Sequence, residues 1–304
     1  MKASRREIMR SDLPPQNEKA MRIPWKTYDG EERVAHAWKK NGSQAAIACI
    51  HGMSGSGEQF HPLPDHMANF SFYALDLRGQ GSDPDHSRRG VRLDLESQIR
   101  DMEAFLKAVR KEHTEGPVFL MGERMGALLS AAYMAQGRHA RDYFVPDGLI
   151  LSVPVVGLSQ PVPPLLRGLL RILGRVAPKA RFSPGRFVKS KSLSPQITRD
   201  QAYHEALHKK PHHIKNFSLG FLIELGDLID ASDTFASCWD IPTLVLAAGC
   251  DCFVKPKQIS KWFNKIKAVD KKLHIYPEAY HLLWHDWDKE AVMSDIHDWL
   301  TARI

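Results

Sequence analysis

Two glycines, Gly122 and Gly126, bracket Glu123, Arg124 and Met125. An apolar run rich in Val, Phe and Leu stops at Gly122, and a helix-like run begins at Met125. This is the strand–turn–helix setting of the G-x-S-x-G nucleophile elbow, a sharp turn that lifts its middle side chain into an active site. A serine at that apex attacks an acyl carbon after a histidine takes its proton, while a carboxylate holds the imidazole. Here the apex is Arg124. A guanidinium stays protonated and has no lone pair to attack with.

An elbow needs a sheet to stand on, and the chain supplies one. Residues 25–39 read as two strands around the Asp29-Gly30 turn. Ala45-Ala46-Ile47-Ala48-Cys49-Ile50 is a continuous apolar run of the kind buried on both faces of a parallel sheet. It runs into the glycine-rich loop His51-Gly52-Met53-Ser54-Gly55-Ser56-Gly57. Phe72-Tyr73-Ala74-Leu75-Asp76 is a further strand, followed by the polar turn Arg78-Gly79-Gln80-Gly81-Ser82-Asp83. Ile99, Met102, Phe105, Leu106 and Val109 carry the i, i+3, i+4 spacing of an amphipathic helix over residues 93–113. Strands follow at 148–153, 243–248 and 272–276, with helices at 257–268 and 291–304. Strands alternating with helices predict an α/β chain with a doubly wound, mostly parallel sheet, the first hairpin forming its antiparallel edge.

The alternation lapses between about residues 156 and 238, which read as an inserted helical cap over the strand ends, where such sheets bind ligands. The expected layout is an arm over 1–20, a core over 21–155 and 239–304, and the cap over 156–238. One cap helix sets Leu165, Leu169, Ile172, Leu173 and Val176 on one face and Arg167, Arg171 and Arg175 on another. The arginines would either meet anionic headgroups as a peripheral membrane contact or stand as a solvated face, with the leucines over the pocket. The chain's net charge of +7 is concentrated here, since no acid falls between Asp147 and Asp200. Without aromatic interleaving or a known module, this basic excess excludes a nucleic-acid reading. Four cysteines lack zinc-site spacing and are too few for a disulfide scaffold, so a reduced, cytoplasmic setting is expected. Asp76 and Arg78 read as loop-fixing residues and Cys49 as core.

Several motifs taken together resemble one family. They are His51-Gly52 with its loop, Tyr73-Ala74-Leu75-Asp76-Leu77-Arg78-Gly79-Gln80-Gly81-Ser82, and Val118-Phe119-Leu120-Met121-Gly122. Asp147-Gly148-Leu149-Ile150-Leu151-Ser152, Gly249-Cys250-Asp251 and Tyr276-Pro277-Glu278-Ala279-Tyr280-His281 follow. In this order and spacing they resemble the α/β-hydrolases of the monoacylglycerol lipase and lysophospholipase-like group, which overlaps the serine aminopeptidase-type hydrolases. The resemblance implies the α/β-hydrolase fold, a small-molecule acyl ester or lipid as substrate, and no cofactor or metal. It also implies an acid at Asp251, a base at His281, and an oxyanion hole from the backbone N–H groups of Met53 and Met125. The nucleophile position falls on Arg124. His285 competes with His281, but the Ala279-Tyr280-His281 setting before a helix favours the latter. Ser54 and Ser56 lie in the oxyanion loop, not on a strand–helix turn aimed at His281. Glu123 is expected to point away from the pocket.

Three readings follow. The chain is an ester hydrolase disabled at its nucleophile, losing on the order of 10⁶ in turnover. Or Arg124 holds an anionic acyl ligand beneath the cap, with helix N-terminal amides as further donors. Or His281 and Asp251 activate water directly.

Overall fold

The computed structural model describes residues 20–137, 142–183 and 196–304. Nearly all of the expected N-terminal arm lies outside them, as do Arg186, Lys189 and Lys191 of the basic segment. β1 (Met21–Lys26) and β2 (Glu32–Trp38) form the expected hairpin, with Gly30 at φ +84° in its turn. β3 (Ala45–Ile50) is buried at every residue. A single turn, α1 (Pro62–His66), precedes β4 (Phe70–Leu75). α2 (Leu95–Glu112) buries Ile99, Met102, Phe105, Leu106 and Val109, the residues whose spacing marks it in the sequence. β5 (Val118–Glu123) passes through Arg124 into α3 (Met125–Gly137), and β6 (Gly148–Ser152) follows.

The chain then leaves the sheet for α4 (Pro164–Val176), β7 (Arg181–Phe182), α5 (Gln201–Lys209), β8 (Phe217–Ser218) and α6 (Leu219–Phe235). It returns with β9 (Thr243–Ala248), α7 (Pro256–Phe263), β10 (Lys271–Tyr276) and α8 (Lys289–Thr301). The strand order is β1-β2-β4-β3-β5-β6-β9-β10. From β4 to β10 every pairing is parallel, and β2 alone runs against its neighbours. Parallel strands end on one edge, so the loops after β3, β5, β6, β9 and β10 gather at a single face.

The inserted segment departs from expectation in one respect. The apolar face of α4 points outward, with Leu165 87% and Val176 81% exposed. On the other side Arg167 pairs with Asp230 and Arg171 with Asp227 on α6, both pairs partly exposed, while Arg175 stays exposed. The physical cause is matched spacing. Asp227 and Asp230 sit three apart on α6 and meet arginines four apart on α4. Gly174 lets the helices close, since a Cβ there would lie 2.4 Å from Ile223.

The elbow glycines are sterically fixed. A Cβ on Gly126 would lie 2.1 Å from the Ile50 carbonyl oxygen, and one on Gly122 would lie 2.5 Å from the Ala127 Cα. Both contacts are to backbone, which cannot swing aside. Gly126→Ala should therefore destabilise the protein by ~2–3 kcal/mol, an overpacking cost measurable by urea denaturation. A change below the noise of that titration would mean that β3 and α3 are not held this close.

Candidate active site

Arg124 occupies the apex with φ 57°, a left-handed conformation that costs a non-glycine residue ~1–3 kcal/mol. Its amide donates to the Ser152 carbonyl at 2.8 Å, and its carbonyl accepts from the Leu128 amide at 3.2 Å. The turn is thus pinned to β6 on one side and to α3 on the other. Ser54 (φ 62°) and Val153 (φ 46°) share the same strained region. These three residues follow β3, β5 and β6, adjacent strands in the sheet, so backbone strain concentrates at one edge.

Asp251 and His281 meet. His281 Nδ1 lies 2.6 Å from Asp251 Oδ2, and Asp251 Oδ1 accepts from the amides of Phe253 and Val254. The pairing of β9 with β10 brings them together, and the bond from the Gly249 amide to the Tyr276 carbonyl continues it into the loops. Both side chains are almost wholly buried. A donor at Nδ1 leaves Nε2 of His281 as the nitrogen able to accept a proton. His285 takes a different place. Its Nε2 donates to the Gln59 carbonyl at 2.8 Å, and its ring stacks on Tyr203 at 4.0 Å between centroids. Burial holds its pKa well below the ordinary histidine value, as a neutral structural ring.

The loop after β3 is braced from below. His51 Nδ1–H donates to the Gly52 carbonyl at 2.7 Å, and its Nε2 accepts from the Leu77 amide at 3.0 Å. Burial pushes the His51 pKa down to about 4, which keeps the accepting lone pair available at neutral pH. Asp76 accepts from the Gly57 and Ser82 amides, and Arg78 pairs with Asp29 and Asp101. Both residues thus fix loops. Met53 lies in this braced loop, half-buried, and Met125 is the first residue of α3, where an amide has no intrahelical acceptor.

The Arg124 guanidinium lies across this loop. A Cβ built on Gly52 would be 2.7 Å from Arg124 Nε, so the side chain fills the space beside Gly52. Arg124 Nη2 donates to Glu123 Oε2 at 3.1 Å and to Gln59 Oε1 at 3.2 Å. The Glu123 carboxylate, expected to point away from the pocket, turns to the guanidinium, with 1% of the residue exposed. Arg124 Nε and Glu123 Oε1 remain buried without a hydrogen-bond partner among the described residues. Gln59, the second partner, lies 65 residues upstream and carries no local signal of this role.

Each charge depends on the other. Glu123→Gln should destabilise the protein by ~3–5 kcal/mol, the cost of stranding a buried cation. In an Arg124→Ser background the same change should cost far less or stabilise. A urea-denaturation double-mutant cycle checks this, and additive effects would show that the two groups do not neutralise one another.

The model of the family described as "Serine aminopeptidase, S33" matches residues 41–288. The chain is 26% identical over 260 residues to the phospholipase YtpA of Bacillus subtilis, covering 84% of this chain and 95% of that protein. It is 24% identical over 304 residues to the monoglyceride lipase of Saccharomyces cerevisiae, covering 91% and 92%. The structure of a soluble variant of that yeast lipase with a substrate analogue superposes with a TM-score of 0.79 at 22% identity, over 96% of this chain and 99% of that one. A carboxyl esterase from Bacillus coagulans in complex with glycerol gives a TM-score of 0.76 at 16% identity, covering 94% and 99%. With the sheet order, the elbow and the acid–imidazole contact in place, the chain belongs to the serine aminopeptidase (S33) family of α/β-hydrolases, in its monoglyceride lipase-like group.

Proposed function

We propose that the chain is an acyl-ester hydrolase framework disabled at the attack step, with Arg124 at the nucleophile position, Asp251 as acid and His281 as base. The observation that carries this reading is the 2.6 Å Asp251–His281 bond kept beside an elbow whose apex, at φ 57°, holds a guanidinium. Relatives named as a phospholipase and as monoglyceride lipases support acyl esters of glycerol as the ligand class. The amides of Met53 and Met125 are the oxyanion donors in this reading, and the Arg124 side chain crowds the loop that carries the first of them. An acyl carbonyl therefore meets both a missing nucleophile and an obstructed hole.

The alternative, an anion held by Arg124, has less support. The guanidinium already has a buried carboxylate on it, so the pair offers little net charge to a second anion. Direct activation of water by His281 keeps the acid–base pair but lacks a free hole.

Restoring the serine tests the proposal. Arg124→Ser alone strands Glu123 as a buried charge, so Glu123→Gln/Arg124→Ser belongs beside it. The double variant should react with a fluorophosphonate probe and hydrolyse a short-chain nitrophenyl ester on the order of 10³-fold or more above the parent chain. A further His281→Ala should abolish both. A folded double variant that neither labels nor turns over would end the hydrolase reading.

Lipid contact, on the same reading, runs through the apolar face of α4 and not its paired arginines. Co-sedimentation should then be similar with neutral and with anionic vesicles. Leu169→Glu/Ile172→Glu should remove it, while Arg171→Ala should leave it. Binding only to anionic vesicles would overturn this assignment.

A further inference from the structure

His281 stands in the loop that follows β10, and two parts of the fold hold that loop. As far as Ala279 the core holds it. The Gly249 amide donates to the Tyr276 carbonyl at 2.8 Å and the Cys250 amide to the Ala279 carbonyl at 3.0 Å. From Tyr280 onward, anchors come from residues 197–199, just before α5 in the segment inserted between β6 and β9. The Leu282 amide donates to the Ile197 carbonyl at 2.9 Å. The Thr198 hydroxyl donates to the His285 carbonyl at 2.5 Å, and His285 Nε2 adds a bond to the core at Gln59. The Tyr280 amide donates to Asp286 Oδ2 at 2.7 Å. Arg199 holds that same carboxylate, its amide donating to Oδ1 at 2.8 Å and its Nε to both oxygens at 3.1 Å. The two amides that flank His281 therefore both lead to the insertion, one directly and one through a single carboxylate.

The Asp286 side chain has no exposure, and that of Arg199 has 18%. Burial opposes the charge on Asp286, but the Arg199 guanidinium and the Tyr280 and Arg199 amides outweigh it, holding the carboxyl below its ordinary range. A buried carboxylate bonded on this many sides is fixed in place, because any shift would break charge-assisted bonds in a dry setting. Arg199 reaches further still, with Nη2 donating to Asp288 Oδ2 at 2.7 Å and the guanidinium 5.2 Å from the centre of the Trp287 ring. A planar fork can span two carboxylates and lie on an indole at once. A lysine, one point charge on a flexible stem, cannot.

We propose that Arg199 is a positioning residue for His281: acting through Asp286, it sets how the imidazole meets Asp251, so the inserted segment and not the sheet alone aligns the base. The assignment rests on the hydrolase reading, in which His281 is the base. The 2.6 Å bond between His281 and Asp251 leaves little room for displacement. A misplacement on the order of 1 Å at a catalytic group can cost ~10²-fold in rate even when the substitution lies away from the chemistry.

The first readout needs no turnover. In the full-length parent chain carrying isotope-labelled histidine, NMR follows the Nδ1–H proton between His281 and Asp251, its resonance identified by its loss in His281→Ala. Arg199→Lys, which keeps a positive charge beside Asp286, should move that resonance upfield. The uncharged pair Arg199→Gln/Asp286→Asn should move it further and speed its exchange with water. Arg171→Ala, which breaks the ion pair with Asp227 and not this clamp, should leave it in place. The second readout uses the Glu123→Gln/Arg124→Ser chain, in which adding Arg199→Lys should lower kcat about ten-fold or more with KM little changed. Urea denaturation establishes that each variant is folded. An unmoved resonance in folded Arg199→Gln/Asp286→Asn overturns the positioning role, as does an unchanged kcat in an active serine variant. A moved resonance beside a serine variant that never turns over supports the seating of His281 by Arg199 and ends only the hydrolase reading.

Discussion

A buried cation at the head of α3 is the constraint to which the rest of this site answers. The N-terminus of a helix carries partial positive charge, so a guanidinium there is opposed by roughly 0.3–1 kcal/mol before burial is counted. Burial adds more, because an isolated charge removed from water is costly unless paired. Glu123 and Gln59 supply the pairing. The carboxylate comes from the residue immediately before the apex and has itself almost no exposure. Neither member of the pair is sensible alone, and Glu123 is better understood as a partner of Arg124 than as an independent feature of the turn.

The same edge of the sheet carries the strain. Three non-glycine residues at positive φ follow three adjacent strands, held by cross-strand bonds such as Arg124 N–H to Ser152 and Val153 N–H to Leu246. Strain of this kind persists where surrounding structure over-determines it. At the elbow it is set by Gly122, Gly126 and the parallel register, none of which involves the apex side chain. The bent backbone and the Asp251–His281 contact can therefore stand whatever side chain occupies the apex.

The insertion follows a different logic. α4 presents its leucines to solvent while Arg167 and Arg171 find partners on α6, and those two ion pairs together with the close approach at Gly174 fix how the helix lies. Exposed pairs of this type are individually weak. Their effect here is to choose between two faces of one helix, a choice that needs little energy.

Much was legible in the chain. The period-two and continuous apolar runs gave the strands of the sheet, because burial on both faces demands uninterrupted apolar residues whatever the topology. The elbow showed in Gly122 and Gly126, since only glycine fits where backbone approaches so closely, and Asp251 and His281 stood in recognisable settings after a strand and before a helix. What tertiary structure alone decided are partnerships across the chain: Gln59 on Arg124 and His285 on Gln59. The reason is physical. Local pattern records what each residue's own backbone and burial require, whereas a hydrogen bond between residues tens or hundreds of positions apart depends on where the sheet and its insertion bring their side chains, and nothing in either local sequence encodes that distance.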